Sequence, residues 1–389
     1  MESTLSMLNT TVLHDVNDTI TCYLLPPQNY CTTREKFLEI LKEYTFPTPM
    51  EWLFALLHIA VFVVGTIGNL LVCFVVWRSR HMQTVTNLFI VNLAVADFLV
   101  FVTCQPPTVL QNITETWFLG RLFCKIAIFF QNLCVSSSVL TLCAISVERY
   151  YAICRPLKAK ITSRKVGIAI AFIWMIGIIV ALPNLLFMEI ENTYADIDHL
   201  LVYCGMSLDP NLEMIYQLFI VLSTYLVPVF IMGVFYSIVS IHLWSAAAPG
   251  AQARNPRCNG HHSPIDAQLL SRRKVAKMLI AIVVIFFICY LPIHLLFIAR
   301  YSGLLKEEDE NHPLLPVSFL FSHWLCYFNN AINPVIYNFM SVKFRDEFRS
   351  VFSCSSPPQG RLYPSGTWTR NKFNDARSEN SRFVKSSDL

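Results

Sequence analysis

Two groups of ionisable residues stand in parts of the chain that otherwise carry almost no charge. Asp97 lies in a run without other Asp, Glu, Lys or Arg from 82 to 114, and Glu148-Arg149-Tyr150 follows a charge-free run at 126–147. A mid-membrane Asp costs roughly 2.5–3.5 kcal/mol on insertion scales, so we expect it to be retained for a reason. An acid beside an arginine can neutralise the guanidinium locally and later release it. These residue types indicate a switch, and they favour neither an enzyme nor a pore.

The elements that must position these residues are seven charge-poor apolar stretches. The chain is 54% hydrophobic and 14% charged, whereas soluble domains carry about a quarter charged residues. Most of the stretches reach the roughly 20 residues that a helix needs to cross about 30 Å of hydrocarbon. Because backbone groups in lipid must be satisfied within the segment, we predict an all-α membrane protein with a seven-transmembrane helix bundle. The charge-free intervals are 52–77, 98–114 (preceded by 82–96 across Asp97), 126–147, 166–188, 214–253, 278–299 and 311–342.

The basic residues predict the orientation of the bundle. The link after the third stretch carries Arg155, Lys158, Lys160, Arg164 and Lys165 without an acid, whereas the link after the fourth carries five acids and no Lys or Arg. We therefore predict a multi-pass plasma-membrane protein with an extracellular N-terminus and a cytoplasmic C-terminus. The net charge of +4 gives no reason to expect a nucleic-acid partner.

The flanking segments divide the chain into four predicted parts. Residues 1–48 form an extracellular N-terminal segment with an amphipathic helix at 33–45, and residues 49–341 form the seven-transmembrane domain. Thr32 and Glu35 have the spacing of a capping box, and Phe37, Leu38, Leu41 and Tyr44 fall at helical spacing, which gives the helix that follows one apolar face. That face could dock on a peptide or on the protein's own loops, or the helix could be a membrane-surface or linker helix. Residues 342–354 predict a short amphipathic helix on the inner leaflet, followed by a disordered cytoplasmic tail at 355–389.

Several residues predict covalent modification. Asn9, Asn17 and Asn112 begin glycosylation sequons, and Asn112 is close to the membrane. Four of the 13 cysteines fall on the predicted extracellular side. A bridge from Cys124 to Cys204 would pin the loop between the fourth and fifth stretches over the mouth of the bundle, and Cys22–Cys31 is the complementary pair. Cys354 ends the short amphipathic helix and is a candidate for palmitoylation, with an unmodified thiol as the alternative.

The chain resembles the rhodopsin-like (class A) G-protein-coupled receptors along all seven stretches. The motifs that carry the resemblance are Asn69, Leu93-Ala94-Val95-Ala96-Asp97, Glu148-Arg149-Tyr150, Trp174, Pro228, Cys289-Tyr290-Leu291-Pro292 and Asn333-Pro334-Val335-Ile336-Tyr337. Within the family, the closer resemblance is to orexin and allatotropin neuropeptide receptors. It rests on the runs at 81–87, 113–117, 151–154 and 322–325. RFamide-type receptors share some of these runs.

This resemblance implies a ligand site for a neuropeptide. An amine receptor would carry Asp where this chain has Gln131, and an opsin would need a lysine in the seventh stretch, which has none. Phe297 and Gly205 depart from the orexin pattern, so another amidated neuropeptide is an alternative ligand. The implied ligand-binding residues are Thr108, Gln111, Gln131, Asn132, Asn184, Tyr216, Thr224, Tyr290, His294, His323 and Tyr327.

The resemblance also implies an activation switch and an allosteric sodium ion. Gln131, Ser138 and Arg149 span 18 residues, which is about five helical turns, so they share one face of the third helix. The second helix carries Asp97, which with Ser138, Asn329 and Asn333 matches the family's sodium pocket; a protonated or water-bonded Asp97 is the alternative. Since the sixth helix begins with Arg272-Arg273-Lys274, we do not expect an acid there to lock Arg149. The implied switch residues are Glu148, Arg149, Tyr150, Tyr236, Phe286, Tyr290, Pro292, Asn333, Pro334 and Tyr337.

The partners implied by the resemblance are an extracellular neuropeptide and a heterotrimeric G protein. Arrestin and receptor kinases would act on the tail, and Ser387-Asp388-Leu389 fits a PDZ domain. No catalytic triad, phosphate loop or metal spacing indicates an enzyme. A membrane transporter is the alternative from another class, but it predicts internal repeats and midplane ionic sites, and the sequence has one deep Asp and no repeat.

Overall fold

The computed structural model describes residues 13–14, 19–25, 28–156, 161–192, 201–245, 264–302 and 314–352. Asn9, Asn17, Cys354, the tail at 355–389 and its C-terminal triplet lie outside these residues, so the predictions made for them stay predictions.

Seven long helices form the bundle, and we number them as membrane helices in chain order. Six of the helices in the described ranges are long and apolar enough to cross a membrane by length and composition. The seventh has 27 residues and contains no Asp, Glu, Lys or Arg. The bounds of membrane helices 1 to 7 are Pro49–Arg78, Val85–Thr114, Gly120–Cys154, Ser163–Phe187, Pro210–Ser245, Pro264–Tyr301 and Leu314–Met340.

Membrane helix 3 is the centre of the bundle. It contacts helices 2, 4 and 5, while helix 1 contacts helices 2 and 7, and helix 6 joins helices 5 and 7. Polar side chains tie these helices together. Trp174 Nε1 donates to Asn92 Oδ1 at 2.9 Å, and Asn92 Nδ2 donates to Thr141 Oγ1 at 2.8 Å, which links helices 2, 3 and 4. Asn69 Nδ2 donates to the carbonyl of Asn330 at 3.2 Å and links helix 1 to helix 7.

Small residues let helices approach closely, as at Gly65 and Gly177. A Cβ on Gly65 of helix 1 would lie 2.2 Å from Cζ of Phe101 on helix 2, so that ring fills the space above the glycine. A Cβ on Gly177 of helix 4 would lie 3.0 Å from Ser137 Oγ on helix 3. Large apolar side chains such as Trp77 and Phe230 are exposed on the outside of the bundle, where lipid would surround them.

Two of the membrane helices, helix 2 and helix 5, depart from regular α-helical geometry. Helix 2 divides into Val85–Thr103 and Gln105–Thr114 around Cys104, just before Pro106 and Pro107. Helix 5 contains a π-helical turn at Leu222–Leu226, immediately before Pro228. Prolines remove intrahelical hydrogen bonds, which accounts for local departures from α geometry at these positions.

Strands that the sequence did not predict form the hairpin end of the bundle. Strands β4 (Met188–Asn192) and β5 (Val202–Met206) pair antiparallel between helices 4 and 5. We call this side of the bundle the hairpin end and the opposite side, where Arg149 lies, the arginine end. Before helix 1, strands β1 (Leu13–His14), β2 (Thr19–Leu25) and β3 (Gln28–Thr32) form a small antiparallel sheet.

The N-terminal helix runs from Arg34 to Tyr44, within one residue of the predicted bounds at each end. Its Phe37 and Leu41 are fully buried, and Leu201 at the hairpin packs against them. The apolar face therefore docks on the protein's own loop, one of the predicted alternatives. The predicted capping box is wrong, because Thr33 is the N-cap and makes no side-chain cap bond. A capping box does form at Thr48 and Glu51, at the start of membrane helix 1.

A short helix, Val342–Phe352, follows membrane helix 7 and begins at the predicted residue. Phe344 and Phe348 are buried, and the Phe344 ring stacks on Tyr337 with centroids 5.3 Å apart. Ser79, in the link after helix 1, donates to Glu347 Oε2 at 2.6 Å. The amphipathic sequence thus places its aromatic residues against the arginine end of the bundle.

Candidate functional site

Helices 2 and 7 meet through four of the polar residues near the hairpin end. Tyr327 donates through its hydroxyl to Thr108 Oγ1 at 3.0 Å, and His323 Nδ1 lies 3.3 Å from Asn112 Nδ2. Thr108 and Asn112 are one helical turn apart, as are His323 and Tyr327, so each pair shares a face. The structure therefore brings together three predicted ligand-binding residues and adds Asn112.

Asn112 is a residue whose contact the sequence analysis missed. It was assigned only to a glycosylation sequon, although its spacing of four from Thr108 could have placed it on the same face. In the structure Asn112 is half-buried, and the side-chain nitrogen that a glycan would need is the atom facing His323.

Helices 4 and 5 meet through a second pair of predicted residues. Asn184 is buried and donates through Nδ2 to the Tyr216 hydroxyl at 2.7 Å. That hydroxyl donates to the carbonyl of Val180 at 3.2 Å. The two helices are thus fixed to each other near the hairpin end, close to where β4 and β5 begin and end.

Aromatic rings join helices 5 and 6 farther from the hairpin end, where Tyr225 lies about two and a half turns beyond Tyr216. The Tyr225 ring lies 4.6 Å from the His294 ring, and the Tyr290 ring lies 4.9 Å from Phe286. His294, Tyr290 and Phe286 are all buried. Tyr225 was not among the predicted residues, but its neighbour Thr224 was, and Thr224 is buried with its hydroxyl bonded to the Ile220 carbonyl at 2.7 Å.

Gln131 and Asn132 lie on helix 3, and both are half-buried. Asn132 Nδ2 donates to its own helix at the Ile128 carbonyl, 3.4 Å away. Gln111 on helix 2 is also half-buried. The predicted ligand-binding residues thus fall into a helix 2–7 group, a helix 4–5 group and a helix 5–6 group, with helix 3 supplying the remaining amides.

The hairpin end is held in place by a disulfide and by ion pairs. Cys124 at the start of helix 3 is bonded to Cys204 on β5, with a Cα–Cα distance of 5.7 Å. Glu189 on β4 accepts from Arg121 Nη2 at 2.6 Å and from Lys125 Nζ at 2.9 Å. These cationic donors lower the pKa of the Glu189 carboxyl to about 2, so it is ionised at every physiological pH. Because Arg121 is exposed and Glu189 is only half-buried, the pairs orient the hairpin more than they stabilise it.

The loop after helix 2 also supports the hairpin. Trp117 donates through its backbone N–H to the Val202 carbonyl at 2.7 Å, and Thr116 Oγ1 accepts from the backbone N–H of Leu201 at 3.1 Å. Leu201 has a φ of 55°, a left-handed conformation that costs energy for a residue with a Cβ. The Thr116 contact and the Phe37–Leu41 face of the N-terminal helix hold Leu201 there.

The second disulfide prediction falls in the N-terminal sheet. The register of β2 and β3 places Cys22 opposite Cys31, and Cys31 is disulfide-bonded.

Asp97 is fully buried between helices 2, 3 and 7. Its Oδ1 accepts from Ser138 Oγ at 3.1 Å, and its Oδ2 accepts from Asn333 Nδ2 at 2.9 Å. No Lys or Arg within the described ranges forms a salt bridge with this carboxylate. The donor set is therefore oxygen-rich and uncompensated by a cation, which is the chemistry that a monovalent metal ion such as sodium requires.

Asn329, the fourth predicted sodium ligand, is buried, and its side chain is hydrogen-bonded to the next residue in the chain. Its Nδ2 donates to Asn330 Oδ1 at 3.2 Å. The structure thus joins three of the four predicted residues through hydrogen bonds and leaves Asn329 one helical turn from Asn333 on helix 7.

Arg149 is held at the opposite end by residues of helices 2 and 3. Its Nε and Nη2 donate to the two carboxylate oxygens of Glu148, each at 2.6 Å. Nη2 also donates to the hydroxyl of Thr86 on helix 2, and that hydroxyl donates to Glu148 Oε2 at 3.2 Å. The bidentate pair neutralises the guanidinium, and Thr86 closes the group into a triangle.

The remaining predicted switch residues line the interior of the arginine half. Tyr236 on helix 5 and Tyr337 on helix 7 are buried, and the Tyr150 ring packs 5.4 Å from Phe235. Pro292 and Pro334 lie inside helices 6 and 7, as expected. Among the described contacts, the partners of the Arg149 guanidinium are Glu148 and Thr86 and not either tyrosine.

Comparison with known proteins agrees with this geometry. The family described as "7 transmembrane receptor (rhodopsin family)" matches residues 68–337. Human neuropeptide FF receptor 1 is 31% identical over 335 residues, which cover 83% of this chain and 74% of that receptor. The predicted seven-helix bundle and the predicted family are both confirmed. The alternative of a transporter is set aside, and the chain belongs to the rhodopsin-like family of G-protein-coupled receptors, a family of membrane receptors and not of enzymes.

Proposed function

We propose that this receptor converts the binding of an extracellular neuropeptide into activation of a heterotrimeric G protein. The hairpin end would face the outside of the cell and bind the peptide, and the arginine end would face the cytoplasm. The observation that carries the proposal is that helix 3 spans both groups of residues without interruption, from Gly120 to Cys154. Gln131 lies near its outer end, and Arg149 lies near its inner end.

The polar character of the outer site supports a peptide ligand. The predicted binding residues on helices 2 to 7 are amides, hydroxyls and imidazoles, and Gln131 supplies an uncharged side chain at the position where amine receptors have Asp. Such groups recognise backbone amides and a C-terminal carboxamide by hydrogen bonding. The similarity to human neuropeptide FF receptor 1 also supports a neuropeptide as the ligand.

Two groups of amidated neuropeptides are the candidates. The runs at 81–87, 113–117 and 322–325 favour an orexin- or allatotropin-like peptide, and the 31% identity to neuropeptide FF receptor 1 favours an RFamide-type peptide. Phe297, which departs from the orexin pattern, has its ring 6.3 Å from Phe319, and the Phe319 ring lies 6.4 Å from His323. Phe297 stands where orexin receptors have Asn, so this apolar wall favours an amidated neuropeptide other than an orexin.

Activation would be a shift of the equilibrium from an inactive to an active arrangement of the helices. Peptide contact with helices 5, 6 and 7 would repack the rings of Tyr225, His294 and Tyr290. Because Pro292 lies two residues beyond Tyr290 in helix 6, movement there would tilt the inner part of that helix. The tilt would open the arginine end, and Arg149 could exchange Glu148 for the G protein.

A sodium ion would favour the inactive arrangement. Asp97, Ser138 and Asn333 would hold the ion through oxygen atoms, with Asn329 as a further ligand. The ion would supply the positive charge that balances the Asp97 carboxylate. Since the three residues lie on helices 2, 3 and 7, the ion would tie these helices together, and agonist binding would weaken as sodium rises.

The tail would couple the receptor to its regulators. We propose that receptor kinases phosphorylate residues in 355–389 to recruit arrestin, that Cys354 is palmitoylated and that the C-terminal triplet binds a PDZ domain. Mass spectrometry of the tail from agonist-treated cells would test the first two of these proposals.

A peptide panel tests the proposed ligand. Cells that express the chain would be exposed to orexin-like, allatotropin-like and RFamide peptides, each in the amidated and the free-acid form, with calcium and cAMP as readouts. We expect a response to one group of amidated peptides and a weaker response to its free acid. A response to none of them would contradict the neuropeptide assignment.

Purified protein tests the coupling step directly. The receptor in detergent or nanodiscs would be mixed with nucleotide-free G proteins that contain different Gα subunits. Agonist should increase complex formation with at least one of them. Equal binding with and without agonist across the panel would contradict the proposed conversion.

A further inference from the structure

At the arginine end of the bundle, membrane helix 6 is bonded to membrane helix 5 through Arg273. Its Nη2 and Nε donate to the backbone carbonyl of Leu243, at 2.7 and 3.2 Å. Arg273 is half-buried, whereas its neighbours Arg272 and Lys274 are exposed. One arginine of this basic run is therefore turned inward and has a defined acceptor.

The acceptor is a backbone carbonyl near the end of the described part of helix 5. That helix is described to Ser245, two residues beyond Leu243. A backbone carbonyl oxygen has two lone pairs, so it can accept from a guanidinium in addition to a donor of its own helix. Because the guanidinium is charged, this hydrogen bond is stronger than one from a neutral donor.

The bond lies beside an apolar seam that reaches helix 3. Leu243 and Val239 of helix 5 pack with Ala276 of helix 6 and Ile153 of helix 3, and all four are buried. Tyr150, from the Glu148-Arg149-Tyr150 triplet, packs against the same cluster. This shielding strengthens a charged hydrogen bond relative to one in water.

A cation above an aromatic ring adds a second contact between the same two helices. Lys277, one helical turn after Arg273, has its Nζ 6.0 Å from the ring centroid of Trp244. Both side chains are exposed, so this contact contributes less than the Arg273 bond.

Arg149 does not provide the link between helices 3 and 6. Its described partners, Glu148 and Thr86, lie on helices 3 and 2. Something else must keep the inner end of helix 6 against the bundle when no agonist is bound. Within the described residues, the Arg273–Leu243 hydrogen bond and the apolar cluster beside it join this end of helix 6 to helices 5 and 3.

We propose that Arg273 is the positioning residue that restrains helix 6 in the inactive receptor, by donating to the Leu243 carbonyl of helix 5. An outward tilt of helix 6 breaks this bond, and its loss shifts the equilibrium toward the active arrangement. The proposal rests on the proposed function only for its signalling readout. The restraint itself is a property of the agonist-free receptor.

The test compares substitutions at Arg273 with one at its exposed neighbour. Arg273→Ala should raise agonist-free G-protein activation about tenfold at matched surface expression, the effect of losing one hydrogen bond to a charged group. Arg273→Lys keeps the charge but lacks the planar set of donors, so it should give an intermediate rise. Arg272→Ala should leave the agonist-free activity unchanged.

Two results would overturn the proposal. In the first, Arg273→Ala and Arg272→Ala have the same agonist-free activity. In the second, Arg273→Ala lowers the agonist-stimulated maximum without any rise in agonist-free activity, which is the behaviour of a G-protein contact.

A distance measurement separates this proposal from the proposed function. Spin labels would be placed on unnatural amino acids at Arg164 and Leu270, which are exposed on helices 4 and 6, because 13 cysteines preclude thiol labelling. Without agonist or G protein, Arg273→Ala should lengthen the distance between the labels. A longer distance with no signalling through any Gα subunit would contradict the G-protein coupling and support the restraint, and an unchanged distance would refute the restraint.

Discussion

The hydroxyl of Thr86 on helix 2 accepts from Arg149 Nη2 on helix 3, and it donates to Glu148 Oε2 at 3.2 Å. Thr86 and Arg149 are 63 positions apart in the chain. Glu148 and Thr86 are buried, so the triangle is partly removed from water. Helix 2 therefore takes part in holding Arg149. Helix 6 is held to the bundle by other contacts.

Replacing Thr86 should release Arg149. Thr86→Val keeps the shape of the side chain but removes the hydroxyl, so one charge-assisted hydrogen bond of about 1.5–3 kcal/mol is lost. We expect a rise in agonist-free signalling, measured as inositol phosphate or cAMP accumulation at matched surface expression. Thr86→Ser, which keeps the hydroxyl, is the control and should behave as the wild type. Equal activity in the Val and Ser variants would show that the hydroxyl has no part in the switch.

Gln131→Ala should weaken agonist potency at unchanged surface expression. Gln131 is half-buried on the face of helix 3 that also carries Ser138 and Arg149. Loss of a hydrogen bond to the ligand corresponds to roughly 0.5–1.5 kcal/mol, or up to about tenfold in potency. Ser136→Ala, at a buried position on the same helix outside the predicted ligand site, is the control. Potency equal to that of the wild type would remove Gln131 from the ligand site.

Asp97→Asn should abolish the sodium sensitivity of agonist binding. The substitution keeps the size of the side chain but removes the negative charge that an ion would need. Agonist affinity would be measured as sodium replaces choline at constant ionic strength, which separates a specific ion effect from screening. We expect affinity to fall with sodium in the wild type and to stay constant in the variant. Sodium dependence that persists in Asp97→Asn would place the ion elsewhere.

Asn112 should carry no glycan in the folded receptor. Its side-chain nitrogen faces His323 Nδ1 at 3.3 Å, in a half-buried position. We expect the double variant Asn9→Gln/Asn17→Gln to show no mobility shift when it is treated with an N-glycosidase. The untreated wild type, which keeps the two N-terminal sequons, is the reference. A remaining shift in the double variant would mean that Asn112 is modified and that its contact with His323 does not form.

Gly65→Ala should destabilise the bundle. The added Cβ would lie 2.2 Å from the Phe101 ring, so this buried ring must shift or helices 1 and 2 must separate. Overpacking of this kind costs about 1–3 kcal/mol, which should lower the apparent Tm of the detergent-solubilised receptor. Gly167→Ala is the matched control, because nothing lies within 4 Å of its Cβ position. That variant should be as stable as the wild type or more stable, because alanine favours the helix.

The bundle and its central helix could be predicted from local sequence. A charge-poor stretch of about 20 residues must form a helix in lipid, because its backbone groups have no other partners. The period of the α-helix then places Gln131, Ser138 and Arg149 on one face without knowledge of any neighbour. The N-terminal helix followed from the same period, and its bounds differ from the prediction by one residue at each end.

The contacts between helices depended on the tertiary structure. The rotation and tilt of each helix are set by its packing against neighbours, and no local pattern contains that information. Thr86 reaches Arg149 across 63 residues, and Asn112 reaches His323 across 211. The same is true of the bond from Arg273 to Leu243, which joins residues on opposite sides of the loop between helices 5 and 6.

The hairpin end was the least predictable part of the chain. Strands β4 and β5 are held in place by the disulfide and the loop after helix 2, and Thr116 and the N-terminal helix contact Leu201, which has a left-handed backbone. Sequence alone determined that seven helices span the membrane and which face of helix 3 points inward, because backbone hydrogen bonding and helical period act locally. Tertiary structure alone decided which side chains meet, because that depends on how the packed helices are turned toward one another.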